Sequence, residues 1–592
     1  MGQALIYRAI AYVFVCLFSF ARVGQAAPDP AATVDALFAS YDRDSARYFP
    51  LASSDAGMRE YDGLIADTLS ERYRTDLGRL CADYLAKMKG IERTSLDRQR
   101  RLSYDIFRHR LAACVERLAH PWHLLPINQA GSSLPSRFPV IGAGRSVHPF
   151  KTVRNYEDFL RRVDGFAVWV DTAIARMNEG AARGITQPRV LMEKAVPQLE
   201  AQIVDDVRAS LFYVPVANFP ADFDAGTREA LAAKYAEAIE RKIIPAYRKL
   251  AAFIKDEYMP RCRLSDGFRD LPGGSAMYRY AVRLSTTTDL PPGRIHDIGV
   301  AEVARIRAQM KIVQAQIDST QEPPPPRYRT TDALVGGYLE LSDPVAAAMS
   351  QFFSRFPRAD FVIRAIEPFR ERSMSSSYVA PSPDGARSGV FYLNTAGAKT
   401  AGGAAVSPSL YLHEVMPGHH LQIALQREND ELPRFRRMES YTAFGEGWAL
   451  YAEHLGDEAG IYRTGHEKLG MLRAELLRAA RLVVDVGLHE KGWSRQQSID
   501  YLVGTVGIPA DSAEREVERY MAWPAQALGY KVGALKILEL RAKAEAALGA
   551  AFDIRAFHDE VLRDGAMPLY VLEAKIDEWI AQQRRSASGL AR

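Results

Sequence analysis

The stretch YLHEVMPGHHLQ, residues 411–422, combines features of a metal-binding helix with a residue that breaks helices. His413 is followed at once by Glu414, but the position four residues after His413 holds Pro417. Two further histidines come late in the stretch, at His419 and His420. The stretch is therefore either a metal site with an insertion in it or a helix end that carries solvated histidines.

The residues just before the stretch predict that a helix begins there. Ser407 is a good N-cap, and Pro408 suits the first helical position because its missing N–H would have no partner there. In an HExxH zinc site the two histidines lie four residues apart on one helical face and bind one ion. A regular helix would place His420 about 10.5 Å along the axis from His413, too far to share an ion.

Pro417 offers a way to bring the histidines together. Its ring clashes with the carbonyl four residues earlier, which belongs to His413, and it has no N–H to donate there, so the helix must deform. Gly418 tolerates the backbone angles of such a bulge. With Pro417 and Gly418 looped out, His419 takes the place of the second histidine of HExxH and is the predicted ligand. His420 is then its outer neighbour or the ligand in its place.

A third metal ligand is predicted in YTAFGEGWALYAEHLGDE, residues 441–458. Glu446 and Glu453 are seven residues apart, so one helix face carries both carboxylates. Unpaired buried carboxylates are costly, and a divalent cation is one way to compensate them. The alternative is an exposed helix whose acidic side chains contact water. We predict Glu446 as the metal ligand and Glu453 as a residue that supports a ligand from behind.

Most of the chain has the periodicity of amphipathic helices, and strand patterns are confined to one region. β-Branched and aromatic residues cluster in three segments just before the histidine stretch, at residues 361–369, 376–382 and 389–395. The predicted fold class is mainly α, a large multi-helix architecture with a small β-sheet before the metal-binding helix. We expect a helical region at residues 27–275 and a second one, with the sheet and the metal site, at residues 276–592, as parts of one intertwined unit.

The first residues are typical of a secretory signal peptide, predicted at residues 1–26. Arg8 precedes the uncharged run AIAYVFVCLFSF, and small residues end at Ala26 ahead of APDP. The run is short for a membrane span, although an N-terminal membrane anchor is the alternative. Cys16 lacks the Leu and small residues that precede a lipidated cysteine, so we expect export to the periplasm or beyond, without lipidation.

The composition narrows the possible partners. Apolar residues make up 47% and charged residues 25% of the chain, as in ordinary globular proteins. The net charge of +4 comes from 76 basic and 72 acidic residues, so it predicts neither a nucleic-acid partner nor a stable membrane partner. Removal of the signal peptide leaves Cys81, Cys114 and Cys262, which can form one disulfide at most.

Four segments together resemble a known family: HEVMPGHHLQ, GEGWALYAEHLG, WPAQALGYKVG and FHDEVLRDGAMPLYVLE. They are similar to those of the bacterial domain-of-unknown-function 885 family, which is generally regarded as zinc-metallopeptidase-like. More distantly, the chain is similar to the gluzincins. This resemblance implies a metallopeptidase-like fold with Zn²⁺ on His413, His419 and Glu446, and Glu414 as general base. The inserted Pro-Gly pair departs from the gluzincin pattern.

Peptide hydrolysis also needs a donor for the oxyanion of the tetrahedral intermediate. The C-terminal part offers Tyr530, Tyr520 and His558. We favour Tyr530, because Gly529 and Gly533 on either side of it permit close backbone packing. The alternative for Tyr530 is a half-buried packing residue.

Two further sets of residues are weaker candidates. Asp485 and His489 lie four residues apart in a long helix predicted from about residue 466 to 490. They either orient a metal ligand from behind, pair with each other in the core, or form an exposed pair. The segment at residues 389–395 is expected to offer a strand edge to an extended peptide. Asn394 and Arg387 would supply its polar contacts, Arg387 by binding a carboxylate with its guanidinium fork.

Together these features predict an exported zinc-dependent metallohydrolase that cleaves short peptides. Two alternatives stay open. One is an amidase or esterase acting on a non-protein or cell-wall substrate, and the other is a non-catalytic peptide-binding protein on a peptidase-like scaffold. The intact Glu414 argues against the second alternative, because a purely structural metal site has no need for a general base.

Overall fold

A computed structural model describes residues 29–590 of the 592-residue chain, apart from residues 132, 368–370, 372–373 and 383–386. The signal peptide predicted at residues 1–26 lies outside the described residues. Helices dominate the described part, and three short strands form one small sheet just before the helix that carries His413. The mainly α class with a small sheet in that position is therefore confirmed.

The helices follow one another along the chain, and the longest connection between them, from Met349 to Pro408, contains the sheet. They are α1 (Pro30–Ala46), α2 (Pro50–Asp55), α3 (Glu71–Met88), α4 (Arg98–Ala119), α5 (Leu134–Gly142), α6 (Val153–Ala182), α7 (Arg189–Glu200), α8 (Val214–Ala217), α9 (Ala225–Ala238), α10 (Ile244–Ala252), α11 (Gly274–Thr286), α12 (Pro292–Thr320), α13 (Thr331–Leu339), α14 (Ser342–Met349), α15 (Pro408–Glu414), α16 (His419–Glu428), α17 (Arg434–Arg437), α18 (Thr442–Glu458), α19 (Gly465–Val486), α20 (Arg495–Val506), α21 (Ala510–Ala522), α22 (Leu528–Leu548), α23 (Ile554–Leu562) and α24 (Leu569–Leu590).

The long helix predicted from about residue 466 to 490 is α19 with a π-helical extension through Lys491. It begins at a capping box, in which the Thr464 hydroxyl accepts the Glu467 N–H and the Glu467 carboxylate accepts the Thr464 N–H. Its second half is buried almost without interruption, and it packs along α12. Burial on every side of its second half places this part of α19 in the interior of the helical packing.

The sheet consists of β1 (Phe361–Ala365), β2 (Ser377–Val379) and β3 (Gly389–Leu393) in the order β1-β3-β2. β3 pairs parallel with β1, and antiparallel with β2. The expectation that the segment at residues 389–395 offers a free edge to a peptide is wrong, because strands occupy both sides of β3. Its nearly complete burial is typical of a central strand.

Two hydrophobic cores hold the helices together, and each contains residues from both sides of residue 275. In one of them Phe38 and Phe107 pack against Phe435, with ring centroids 5.1 and 5.3 Å from it. α18 packs along α22 at very short range. A Cβ on Gly533 would lie 1.8 Å from the carbonyl oxygen of Ala443, so only glycine permits this approach. The helix that carries Glu446 is thereby held directly against the helix that carries Tyr530.

Cys81 of α3 and Cys114 of α4 form a disulfide, and Cys262 is a buried free thiol. The sequence allowed one bridge among these three residues, and the structure selects this pair. Within the described part of the chain, no helix combines the length and the apolar character that a membrane span requires.

Candidate metal centre

The helix that carries His413 begins and breaks where the sequence predicts. The Ser407 side chain accepts the N–H of Leu410 over 3.2 Å and caps α15, with Pro408 as the first helical residue. α15 ends at Glu414 and α16 starts at His419. The interruption therefore includes the predicted Pro417 and Gly418, and it extends back through residues 415 and 416.

Gly418 suits this loop in two ways. Its φ of −76° and ψ of −127° lie outside the usual α and β regions, and a Cβ at this position would lie 1.9 Å from the carbonyl oxygen of His413. Trp448 of α18 donates its indole N–H to the carbonyl of Pro417 over 2.8 Å. The loop is thus folded tightly onto the end of α15 and fastened to α18.

This loop brings His413 of α15, His419 of α16 and Glu446 of α18 together. Glu446 Oε2 lies 3.5 Å from His413 Nε2 and 3.4 Å from His419 Nε2. One potential ligand atom from each of the three residues lies within 4.8 Å of the other two. The two imidazole rings are nearly perpendicular, with centroids 4.9 Å apart. The three residues that the sequence nominated as metal ligands therefore converge on one point.

His420 faces a different part of the molecule. Its Nδ1 lies 2.8 Å from the hydroxyl of Tyr378 in β2, and its ring packs against Phe361 of β1. Burial lowers the pKa of His420 to about 4, so the ring is neutral at ordinary pH. Of the two late histidines, His419 joins the cluster and His420 joins the helix to the sheet.

Glu453 supports His413 from behind. The His413 Nδ1–H donates to Glu453 Oε1 over 2.8 Å, and the hydroxyl of Ser409 donates to the other carboxylate oxygen. Arg478 of α19 lies 3.9 Å from the same carboxylate. When the His413 ring is neutral and Nδ1 carries the proton, the free lone pair of the ring lies on Nε2, which faces Glu446.

Burial and charge act against each other in this cluster. Burial opposes a charged His413, but the carboxylates of Glu446 and Glu453 raise its pKa to about 9. Burial also opposes a charged Glu446, but the two histidines hold its pKa well below the ordinary range. Burial raises the pKa of Glu414, and the nearby His413 and His419 counteract part of this rise. The site therefore favours a carboxylate at Glu446 and positive charge around it.

The cluster fits a divalent metal ion. Glu446 Oε2 is buried and has no hydrogen-bond partner among the described residues, because its distances to the two imidazole nitrogens exceed those of ordinary hydrogen bonds. Two imidazoles and one carboxylate are the protein ligands of many catalytic zinc sites, in which a fourth position stays open. An ion between these three groups would satisfy the orphaned oxygen.

Tyr530 lies beside the cluster, as predicted for an oxyanion donor. Its ring is nearly parallel to that of His413, with centroids 6.4 Å apart, and the guanidinium carbon of Arg481 lies 4.6 Å from the Tyr530 ring centre. Burial and the charge of Glu446 raise the pKa of Tyr530, so the phenol keeps its proton as a donor. Gly529 and Gly533 permit the close packing that the sequence suggested.

The other two oxyanion candidates have structural partners. The Tyr520 hydroxyl donates to Glu516 over 2.5 Å and accepts from Arg481. His558 is fully buried, with its nitrogens 2.8 Å from the Tyr451 hydroxyl and 2.9 Å from the carbonyl of Phe352. Both residues hold elements of the core together.

Asp485 and His489 are buried, and their bonds join helices. Asp485 accepts from the Tyr278 hydroxyl over 2.7 Å and from the Ala525 N–H. His489 accepts the N–H of Phe268 and donates to the carbonyl of Tyr520. Both side chains are thus satisfied within the core, and among the described residues no hydrogen bond joins them to each other or links either of them to His413, His419 or Glu446.

The two predicted substrate contacts lie at the sheet. The Asn394 amide donates to the carbonyls of Glu371 and Met374, and its oxygen accepts the N–H of Ala396, so this side chain shapes its own loop. Arg387 is exposed, and its backbone pairs with Ser382 in a turn. A role of either residue in substrate binding stays a prediction.

Sequence reasoning missed the arginines of α19. Arg478 and Arg481 lie three residues apart and face Glu453 and Tyr530, respectively. Their spacing of three residues indicated that both arginines share one face of α19. Arginines on a helix face are usually exposed to solvent, so the sequence did not show that these two face the site.

The fold and the cluster define a class: a large, mainly helical protein with a candidate metal centre of two histidines and one glutamate. Within that class, the chain belongs to the family described as bacterial protein of unknown function (DUF885), which it matches over residues 50–576. The resemblance seen in the four sequence segments is thus confirmed at the level of the family. No curated protein with detectable similarity to the chain was found.

Two solved structures are similar to nearly the whole chain. One is a crystal structure described as a candidate lipoprotein from Colwellia psychrerythraea, with a TM-score of 0.82 and 26% identity, covering 93% of this chain and 100% of that one. The other is described as a candidate lipoprotein of unknown function from Shewanella oneidensis, with a TM-score of 0.69 and 16% identity, covering 92% and 99%. At 16% identity the second likeness shows the fold alone.

Proposed function

We propose that this protein is an exported zinc-dependent hydrolase that cleaves short peptides. The observation that carries the proposal is the convergence of His413, His419 and Glu446, whose ligand atoms lie within 4.8 Å of one another beside the buried Glu414. Two imidazoles and a carboxylate with an adjacent second carboxylate are the groups that zinc-assisted hydrolysis uses.

When bound by these three residues, zinc would supply a Lewis acid for the scissile carbonyl and would lower the pKa of water in the site. Glu414 then takes the proton of the attacking water and delivers it to the leaving nitrogen. Burial raises the pKa of Glu414, and a raised pKa favours proton uptake by a general base. The Tyr530 hydroxyl donates to the oxyanion, and Glu453 keeps His413 in the tautomer that presents Nε2.

Export is supported by three independent observations. The first 26 residues have the pattern of a signal peptide. Cys81 and Cys114 form a disulfide, which is typical of oxidising compartments. The similar solved structure from Colwellia psychrerythraea is described as a candidate lipoprotein. Mass spectrometry of the protein from fractionated cells tests this point: cleavage after Ala26 without a lipid is expected, and lipid on Cys16 would contradict it.

The main test combines metal analysis with a peptide-library assay on the mature protein. We expect one zinc per chain and Glu414→Gln to keep it, because Glu414 is not one of the three ligands. Loss of the general base should reduce kcat by about 10²- to 10⁴-fold. Glu431→Gln, a change at an exposed glutamate just after α16, is the matched control and should cleave like the wild type.

Two results would remove the proposal. Absence of stoichiometric zinc rejects the metallohydrolase, and zinc with cleavage that is insensitive to Glu414→Gln rejects the assigned mechanism. Zinc binding without cleavage of any peptide would instead favour the non-catalytic peptide-binding protein considered from the sequence.

A further inference from the structure

Three arginines converge on Tyr530, and we call them the arginine cluster: Arg478 and Arg481 from α19 and Arg519 from α21. The guanidinium carbon of Arg481 lies 4.6 Å from the Tyr530 ring centre. The charges of all three arginines act on the same Tyr530 hydroxyl, where they oppose the rise in pKa caused by burial and by Glu446. Positive charge is thus concentrated next to the proposed zinc site.

Carboxylates neutralise this charge only in part. Arg481 and Arg519 share one carboxylate, that of Glu516, which lies 3.0 Å from Arg481 and 3.2 Å from Arg519. Arg478 lies 3.9 Å from Glu453, but that carboxylate is already bonded to His413. The cluster therefore carries more positive charge than its neighbours compensate.

Two guanidinium nitrogens are also left without hydrogen-bond partners among the residues that the structure describes. They are Arg481 Nη1 and Arg478 Nε. The Arg481 side chain is only 8% exposed, so its unpaired N–H groups are shielded from bulk water. A buried donor without an acceptor is costly, and such groups in a native structure indicate a missing water or anion. Arg478 and Arg519 are 16% and 23% exposed, which leaves an approach to the cluster from solvent.

We propose that the arginine cluster binds the C-terminal carboxylate of a peptide, so that the protein acts at the C-terminal end of its substrates. The guanidinium fork matches a carboxylate with two parallel hydrogen bonds, and a buried setting strengthens them. This inference rests on the proposed function for its cleavage step, but the binding of the carboxylate does not depend on that step.

The distances limit where cleavage occurs. The guanidinium carbon of Arg481 lies 4.6 Å from the Tyr530 ring centre, which lies 6.4 Å from the centre of the His413 ring. The guanidinium carbon of Arg481 is therefore at most about 11 Å from the centre of the His413 ring, and the carbon of a carboxylate that it binds lies at most about 4 Å further away. An extended peptide covers about 3.3–3.6 Å per residue, so the bond that is cleaved lies within about four residues of the C-terminus.

The test uses binding, so that it does not require hydrolysis. N-acetylated tripeptides of mixed sequence are prepared as free acids and as C-terminal amides, and both sets are titrated into the Glu414→Gln protein by calorimetry. Because hydrogen bonds to charged groups are lost with the amide, we expect it to bind about 10- to 100-fold more weakly than the acid. The preference should persist after zinc is removed with a chelator, since the arginines and not the metal hold the carboxylate.

Variants then locate the subsite. Arg481→Gln, made in the same Glu414→Gln protein, should reduce the acid-over-amide preference to near one, and Arg478→Gln should reduce it as well. Arg473→Gln, a change at an exposed arginine of the same helix, is the matched control and should retain it. Circular dichroism and thermal unfolding of each variant show whether the fold is kept. If an arginine variant does not fold, the comparison of acids with amides on the Glu414→Gln protein, which keeps all three arginines, still tests the proposal.

The outcomes separate this inference from the proposed function. Equal affinity for acid and amide, including no measurable binding of either, overturns the carboxylate subsite, as does a preference that disappears with zinc. Equal cleavage of acids and amides by a Glu414-dependent enzyme also overturns it and leaves the hydrolase intact. Selective binding of acids without any cleavage supports the subsite and rejects the hydrolase.

Discussion

Glu453→Gln is the change that best isolates how the metal centre is oriented. The Glu453 carboxylate is 2% exposed and accepts the His413 Nδ1–H over 2.8 Å. Glutamine has the same shape, and its remaining oxygen can still accept that N–H, so the change removes charge rather than volume. A hydrogen bond to a charged group contributes about 1.5–3 kcal/mol, and a neutral one about 1 kcal/mol. The difference of about 0.5–2 kcal/mol corresponds to zinc affinity weaker by about 2- to 30-fold.

The assay is chelator competition, which measures the zinc dissociation constant of each variant directly. Glu458→Gln is the control, because Glu458 ends the same helix and pairs instead with Arg541. It should leave zinc affinity unchanged. If Glu453→Gln keeps the fold and binds zinc as tightly as the wild type, the charge of Glu453 does not contribute to zinc affinity through His413, and the prediction is refuted.

Three further changes test other parts of the structure. His419→Ala should abolish stoichiometric zinc binding and His420→Ala should retain it, and metal analysis showing the reverse contradicts the assignment. Gly533→Ala should lower the free energy of unfolding by about 1–3 kcal/mol, because its Cβ would lie 1.8 Å from a carbonyl oxygen of α18. Gly470→Ala, with no neighbour within 4 Å, should not lower it in the same denaturant titration. Burial raises the Asp485 pKa to about 7, so the folded protein holds this proton more tightly than the unfolded chain, and stability falls as pH rises through 7. Asp485→Asn should therefore show a smaller drop in Tm between pH 5 and 8.5, and parallel Tm curves would contradict this.

The local rules of the sequence predicted the elements of the site with good accuracy. Pro417 lacks an N–H and clashes with the preceding turn, so an interruption between the histidines followed from covalent geometry alone. Glu446 and Glu453 lie seven residues apart, so their common face followed from helical periodicity. Each of these predictions concerned residues close together in the chain.

The errors arose where distant segments decide. Whether β3 is an edge or a centre depends on the pairing of residue 361 with residue 389, and no local pattern specifies that neighbour. Gly418 was predicted to tolerate the backbone angles of the bulge, but only the folded loop shows that a Cβ there would also lie 1.9 Å from the carbonyl oxygen of His413.

The amino-acid sequence by itself determined the mainly helical class, the small sheet before the broken helix and the residues able to hold a metal, because periodicity, capping and proline chemistry act within a few residues. Only the tertiary structure decided that His419 rather than His420 faces Glu446, and that the arginines of α19 meet Tyr530 of α22. The first choice depends on the loop that Trp448 of α18 fastens at Pro417. The second depends on the packing of α22, whose Gly533 contacts Gly447 of α18 from 86 residues away in the chain. Because a protein interior is close-packed, the shapes of side chains throughout the core together determine which residues become neighbours.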